Sequence, residues 1–449
     1  MDHFFQLRAN GTTVSREILA GVVTFATMAY ILCVQPALMS GQLLGTETGM
    51  NYQALVTTTC LASAFGCFLM GLLSRYPFAL APGMGTNFFV ICELFPACAA
   101  ILGLQTGCGA PEIWMLAMAV VFLSGILFFL LSMLRVRHLL LDLISPSLKM
   151  AICGGIGFFI AFLGLRNGGI LTITHDQPAL GSMVSWDAAI FLTGFLVSSV
   201  LLVRKVPGTI LLGIFASACV AFAAGKITIS QIVGLPANPL GIVGHLALGT
   251  ACQHLWTLLP FIFILTFMDV FDTFGTVIGI GHQAGFMKDG KLPRIERVFA
   301  ADACATMAGA VLGHSTVTTF LESAAGVESG GRTGLVSVVV GVLFLAALFF
   351  SPLLIAIGSC PPVTASALVL VGILMTRSLK SIEWDDLTEV IPAFLIMIGI
   401  PFFNSIANGI LCGLVVYPFL KLLTGRVRET TPGMFVLALI LTAYLIFVR

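Results

Sequence analysis

No residue between Ile18 and Met39 carries a charge, and apolar runs of this length recur along almost the whole chain. About twenty apolar residues cross the hydrocarbon of a bilayer as a helix. A chain folding in water must instead cover its apolar surface with polar groups, and soluble domains are close to a quarter charged. Only 9% of these 449 residues are charged and 58% are hydrophobic, so one water-facing core could not take up the excess. The chain reads as an all-α polytopic membrane protein. Its first run is too long for the core of a secretory signal and lacks a small-residue cleavage site, so it reads as a retained span.

Applied along the chain, the length criterion places fourteen spans near 17–39, 53–74, 77–100, 112–134, 147–166, 186–204, 207–225, 254–282, 295–313, 314–331, 333–357, 361–377, 387–402 and 404–423. A last apolar run, 433–448, is too short to assign. With the amino terminus in the cytoplasm, eighteen of the 21 Lys and Arg fall on the inner side, Arg135, Arg137, Lys288 and Lys291 among them. Such an asymmetry orients membrane proteins. Residues 226–253 form a connector containing Gly and Pro that separates two sets of seven spans. Because seven is odd, the second set starts from the opposite side. The expected organisation is therefore two inverted repeats, 1–225 and 254–424, with a tail at 425–449. Transporters are commonly built this way, with the site near the midplane between the repeats.

Two spans at matching positions are broken. The third contains ALAPGMGTNFF (79–89), where Pro82 removes a backbone donor and Gly83 and Gly85 loosen the helix. The tenth contains STVTTFLESAAGVESGG (315–331), whose β-branched run Thr316–Thr319 favours extended chain ahead of Glu322. Backbone without helical bonds must lie inside protein or line a polar cavity. Two such breaks facing each other would build a binding site.

A charged side chain at the bilayer centre costs roughly 2.5–3.5 kcal/mol on insertion scales, so it usually faces a cavity or a partner. In FMDVFDTFG (267–275), Asp272 falls mid-span, and Asp269, Thr273 and Thr276 share or adjoin its face. Glu322 is expected at comparable depth. Asn87, in the third-span break, offers donors and an acceptor for a flat heterocycle, or a cap for the following half-helix. Glu93 reads as structural, Asp302 as a salt-bridged residue near the inner surface beside Arg294 and Arg297, and His314 as a wet or capping residue at a span end. Glu328 reads as an interfacial partner of Arg332.

Two carboxylates, a Phe-rich wall and no nearby cation exclude an anionic ligand. They suit a cation, or a neutral planar molecule whose N–H edges meet the carboxylates while Phe88, Phe89, Phe271 or Phe320 packs on the ring. A carboxylate there could also carry a proton. A cation channel or carrier using Asp269 and Asp272 is one alternative; an intramembrane hydrolase is another, although no GxGD motif is present. A net charge of +1 without a basic tail argues against nucleic acid. Twelve cysteines without a CxxC pair, and the lack of an HExxH, give no reason to expect a metal or cofactor. Cys98 and Cys108 share one short loop and could be bridged on an oxidising side.

Five segments in order, EILAGVVTFATMAYILCVQP, ALAPGMGTNFF, FMDVFDTFGT, TVTTFLESAAGVESGGRTGL and IPAFLIMIGIPFFNSIANG, resemble the AzgA-like purine permeases of the nucleobase–ascorbate transporter family. The resemblance covers residues 10 to 424 and implies a core domain (spans within 17–134 and 254–357) that moves against a gate domain (147–225 and 361–423). It also implies strands breaking spans three and ten, and proton-coupled uptake of hypoxanthine, guanine or adenine across the inner (plasma) membrane. By motif position it puts substrate binding on Asp272, Glu322, Gly85 and Asn87, with a polar position at Thr276. Phe320 is expected on the ring face, and Asp272, Glu322 and Asp269 are the proton-coupling candidates. The expected partners are thus a purine, a proton and the lipid bilayer; a homodimer is compatible with the sequence but not specified by it. Phe88 after the Asn, and Phe403-Asn404 before SIANG, depart from the family pattern.

Overall fold

The computed structural model describes residues 2–133, 145–174, 177–229, 231–287, 292–403, 405–435, 438, 439 and 442. Arg135, Arg137, Lys288, Lys291, Asn404 and most of the run 433–448 lie outside the described residues. The protein is mostly helical. Among the described residues, nine helices are long and apolar enough to cross a membrane by length and composition, and three apolar helices are shorter. Two of the expected spans are neither. Ile295–Val311 form one continuous helix that carries Glu296, Arg297 and Asp302, and 314–331 hold a strand followed by a helix of six residues.

The elements that position the site are helices α1 (Val14–Met28), α2 (Ile31–Met39), α3 (Tyr52–Leu69), α4 (Met84–Phe89), α5 (Leu255–Gln283), α6 (Ile295–Val311) and α7 (Ser323–Glu328). Strands β1 (Leu80–Pro82), β2 (Leu171–Thr174), β3 (Gln177–Leu180) and β4 (Val317–Thr319) form two antiparallel pairs, β1 with β4 and β2 with β3. In the first, Leu80 is opposite Thr319 and Pro82 opposite Val317. Thus the chain is extended in both segments that lose helical bonding, and each supplies the other's backbone partners. Gly83 N donates to Thr316 O and Phe320 N to Ala79 O, both at 2.9 Å. Buried polar backbone needs such partners.

The pair is packed on its apolar side. Leu80, Val317, Val277, Ala301 and Ala305 belong to one buried cluster. Gly66 of α3 lets the strands come close: a Cβ there would lie 3.0 Å from Leu80 Cβ and 3.1 Å from Val317 Cγ1. Cys98 is buried and Cys108 exposed, and both are free thiols, because the loop they share does not bring them together.

The chain divides into two compact units, Met1–Leu134 with Arg166–Ala367, and Arg135–Leu165 with Leu368–Arg449. All the elements labelled above belong to the first. In the second, helix α8 (Leu387–Phe402) and helix α9 (Ile406–Leu423) are tied by an ion network. Lys421, 1% exposed, lies 3.0 Å from Glu389 Oε1 and 2.8 Å from Glu429 Oε2. Tyr417 and Ser145 donate to the two oxygens of Glu389 at 3.0 and 2.6 Å. A buried ammonium needs this degree of satisfaction.

Candidate functional site

The site is built where α1–α2, α4, α5 and the β4–α7 segment come together. Asp272 of α5 is exposed and Glu322, immediately before α7, is half-buried. The helices that carry or follow them, α5 and α7, pack against each other. Among the described residues no Lys or Arg is bonded to either. Glu322 Oε1 accepts from Tyr30 Oη at 2.9 Å, and the Glu322 carbonyl from Thr27 Oγ1 at 3.4 Å. Phe320 is 6% exposed, with its amide committed to Ala79 O, and Gly85 is half-buried in the first turn of α4. Thr276 is buried one turn beyond Asp272.

Asp269 points elsewhere. It is 1% exposed and accepts from Thr306 Oγ1 of α6 at 2.7 Å. Thr306 also receives Val317 N at 3.2 Å, so one hydroxyl joins α5 to β4. One turn along α5, Thr273 donates to Asp302 at 2.6 Å and is itself bonded to Thr318 of β4 at 2.8 Å. Asp302 is therefore not a salt-bridged surface residue. It is fully buried and held by a hydroxyl, because its helical phase turns it away from Arg294 and Arg297 and toward α5.

Asn87 is likewise internal, with 0% exposure. Gln35 Nε2 donates to its Oδ1 at 3.0 Å, and Asn87 returns a short bond to Gln35 Oε1 and takes another from Ser315 Oγ. Gln35 Nε2 also lies 3.2 Å from His314 Nδ1, and His314 Nε2 lies 2.9 Å from Thr58 Oγ1. An amide nitrogen can only donate, so Nδ1 accepts and the ring proton sits on Nε2. His314 is thus neither wet nor a cap. It is a fully buried strut between α2, α3 and the start of β4, because Gln35 and Thr58, from distant segments, satisfy its two ring nitrogens.

The structure puts Asp272 and Glu322 on packed elements, with Phe320 two residues before Glu322, Thr276 one turn after Asp272, and Gly85 on α4, which packs on α5. It puts Asp269 and Asn87 into two separate buried networks. Sequence reasoning passed over Tyr30, Gln35 and Thr306. The available signal was a lone Gln before Pro36 in an otherwise apolar span, and a Tyr at the same depth.

Residues 15–440 match the family model Xan_ur_permease, described as a permease family. The chain is 37% identical to the guanine/hypoxanthine permease PbuO of Bacillus subtilis strain 168, covering 97% of this chain and 98% of that protein. It is 36% identical to the adenine permease AdeP of Escherichia coli K12, covering 100% of this chain and 96% of that protein. The fold is similar to the transmembrane domain of a cyanobacterium bicarbonate transporter, BicA. There the TM-score is 0.62 at 14% identity, covering 89% of this chain and 97% of that one. These relatives are permeases and transporters, not enzymes. With the family matched over most of its length, this multi-pass membrane protein belongs to the permease family.

Proposed function

We propose that the protein imports purine nucleobases, hypoxanthine, guanine or adenine, by proton symport. The observation that carries this reading is the Asp272–Glu322 pair, two carboxylates on α5 and at the start of α7, packed elements beside a strand-broken segment. Such a pair accepts hydrogen bonds from the N–H groups of a planar base, and the identity to guanine/hypoxanthine and adenine permeases supports a purine as that base. In this reading Asp272 and Glu322 hold the purine edge, Phe320 and Gly85 shape the ring slot, and Thr276 offers a polar contact. Asn87 acts through the Gln35 network by fixing α4 rather than by bonding the base. Asp269, Asp272 and Glu322 are the groups through which a proton is carried.

The wider architecture goes with this reading. Fourteen spans in two inverted repeats sit in the inner membrane with a cytoplasmic amino terminus, and a core carrying the site moves against a gate in an elevator-type exchange. The test is uptake of labelled hypoxanthine, guanine and adenine into proteoliposomes, with and without an inward proton gradient. Uptake of at least one base that collapses with the gradient, and in Asp272→Asn and Glu322→Gln, is expected. Purine uptake indifferent to the proton gradient would remove the symport. Cation flux without purine uptake would overturn the substrate class.

A further inference from the structure

Helix α1 and the Tyr30 that follows it are fastened to α7 and the residues on either side of it. At the start of α1, Glu17 accepts from Arg332 N at 2.8 Å and from Thr333 Oγ1 at 2.6 Å. Midway, α7 lies so close to α1 that a Cβ on Gly326 would fall 2.8 Å from Ala20 O. Beyond its last turn the chain breaks at Ala29–Tyr30 before α2 begins, and Tyr30, 1% exposed, gives its hydroxyl proton to Glu322 Oε1. The second oxygen, Oε2, takes no hydrogen bond from another residue among those described. Glu322 therefore stands in one orientation, with one oxygen committed inward.

We infer that Tyr30 is a positioning residue that fixes Glu322 and limits it to a single-point contact with its ligand. This rests on the purine reading above. The chemistry separates the candidate bases. On its six-membered ring hypoxanthine presents one N–H, at N1, between a C–H and a carbonyl. Guanine presents N1–H and the 2-amino group side by side, a pair of donors that matches both oxygens of one carboxylate. While Tyr30 takes one lone pair of Oε1 and fixes the tilt of the carboxylate, guanine's second donor must share that oxygen in a set geometry. Removing the hydroxyl frees that oxygen and also loosens the carboxylate.

The experiment compares wild type with Tyr30→Phe, which keeps the buried ring, measuring KM and maximal uptake rate for hypoxanthine and for guanine in proteoliposomes. Folded protein is quantified in the same preparations. The expected result is a KM for hypoxanthine raised about tenfold, the scale of one lost hydrogen bond to a charged group. The maximal rate stays within about twofold, and the ratio of guanine KM to hypoxanthine KM falls. Unchanged KM values, or a loss confined to maximal rate and folded protein with the ratio intact, would leave Tyr30 a structural residue and overturn this inference alone. If wild type takes up neither base, the purine reading fails and this inference falls with it.

Discussion

Asp302 accepts from Thr273 at 2.6 Å, and that one hydroxyl stands between a fully buried carboxylate and no hydrogen bond at all among the described residues. Its other oxygen, Oδ1, has no partner there. Removing the donor should cost about 1–3 kcal/mol, the usual penalty for stranding a buried polar group. Thr273→Val is expected to lower the unfolding temperature of the detergent-solubilised protein, and Thr273→Ser to keep most of the stability. Equal unfolding temperatures for Thr273→Val and wild type would show that Asp302 finds another donor.

Gln35 serves Asn87 and His314 at once, so Gln35→Leu strands an amide and a ring nitrogen together. Each is worth about 1–3 kcal/mol. Because the two positions share one bond pair, Gln35→Leu combined with Asn87→Leu should destabilise by less than the sum of the single changes. Thermal unfolding of the two single variants and the double variant checks this. Strict additivity would mean that the amide pair contributes nothing as a unit.

A methyl group on Gly326 would sit 2.0 Å from Thr24 Oγ1 and 2.8 Å from Ala20 O. The first neighbour can rotate away, but the second is backbone. Gly326→Ala should therefore destabilise by about 1–3 kcal/mol, and adding Thr24→Ala should recover only part of that. Full recovery in the double variant would place the whole conflict on the side chain.

In the second unit Asp386 caps α8, accepting from Thr388 N at 2.9 Å and from Arg426 at 2.8 Å. The Thr388 hydroxyl foremost, with Arg426 and Lys421 adding their charge, holds its carboxyl down to about 2, below the ordinary 3.8. A depressed carboxyl stabilises the fold while it is ionised. Its contribution is therefore complete above the ordinary value and is lost as pH falls through about 2. Amide exchange in the first turn of α8 should be faster in Asp386→Asn than in wild type at neutral pH. That difference should close at the acid end of this window. A gap independent of pH would assign the effect to lost shape rather than to charge.

The two breaks were legible because Pro82, Gly83 and the run Thr316–Thr319 are local signals, readable from propensity without knowing what they pack against. Asp272 and Glu322 were legible because a carboxylate in an apolar run is conspicuous. The misreadings share a cause. Asp302 stands close in sequence to Arg294 and Arg297, and His314 stands at a span end, so each was assigned by its neighbours along the chain. Their actual partners, Thr273 for one and Gln35 and Thr58 for the other, come from other helices, and only packing brings them near. Lys421 likewise has partners that sequence proximity does not give. Its partners Glu389 and Glu429 are contributed across a hairpin and by a following turn.

The pairing of Leu80 with Thr319 also sets a schedule for synthesis. The segment around Pro82 leaves the ribosome long before its strand partner exists. At roughly 5–20 residues per second the wait is on the order of tens of seconds. Throughout that time the amides and carbonyls of β1 have no strand to meet, and lipid offers them no substitute. The early part of the chain must therefore stay beside water, or beside the insertion machinery, until β4 is made. Maturation of the binding site is thus a late event in biogenesis, and a truncation before Val317 leaves the first half-site without its partner strand.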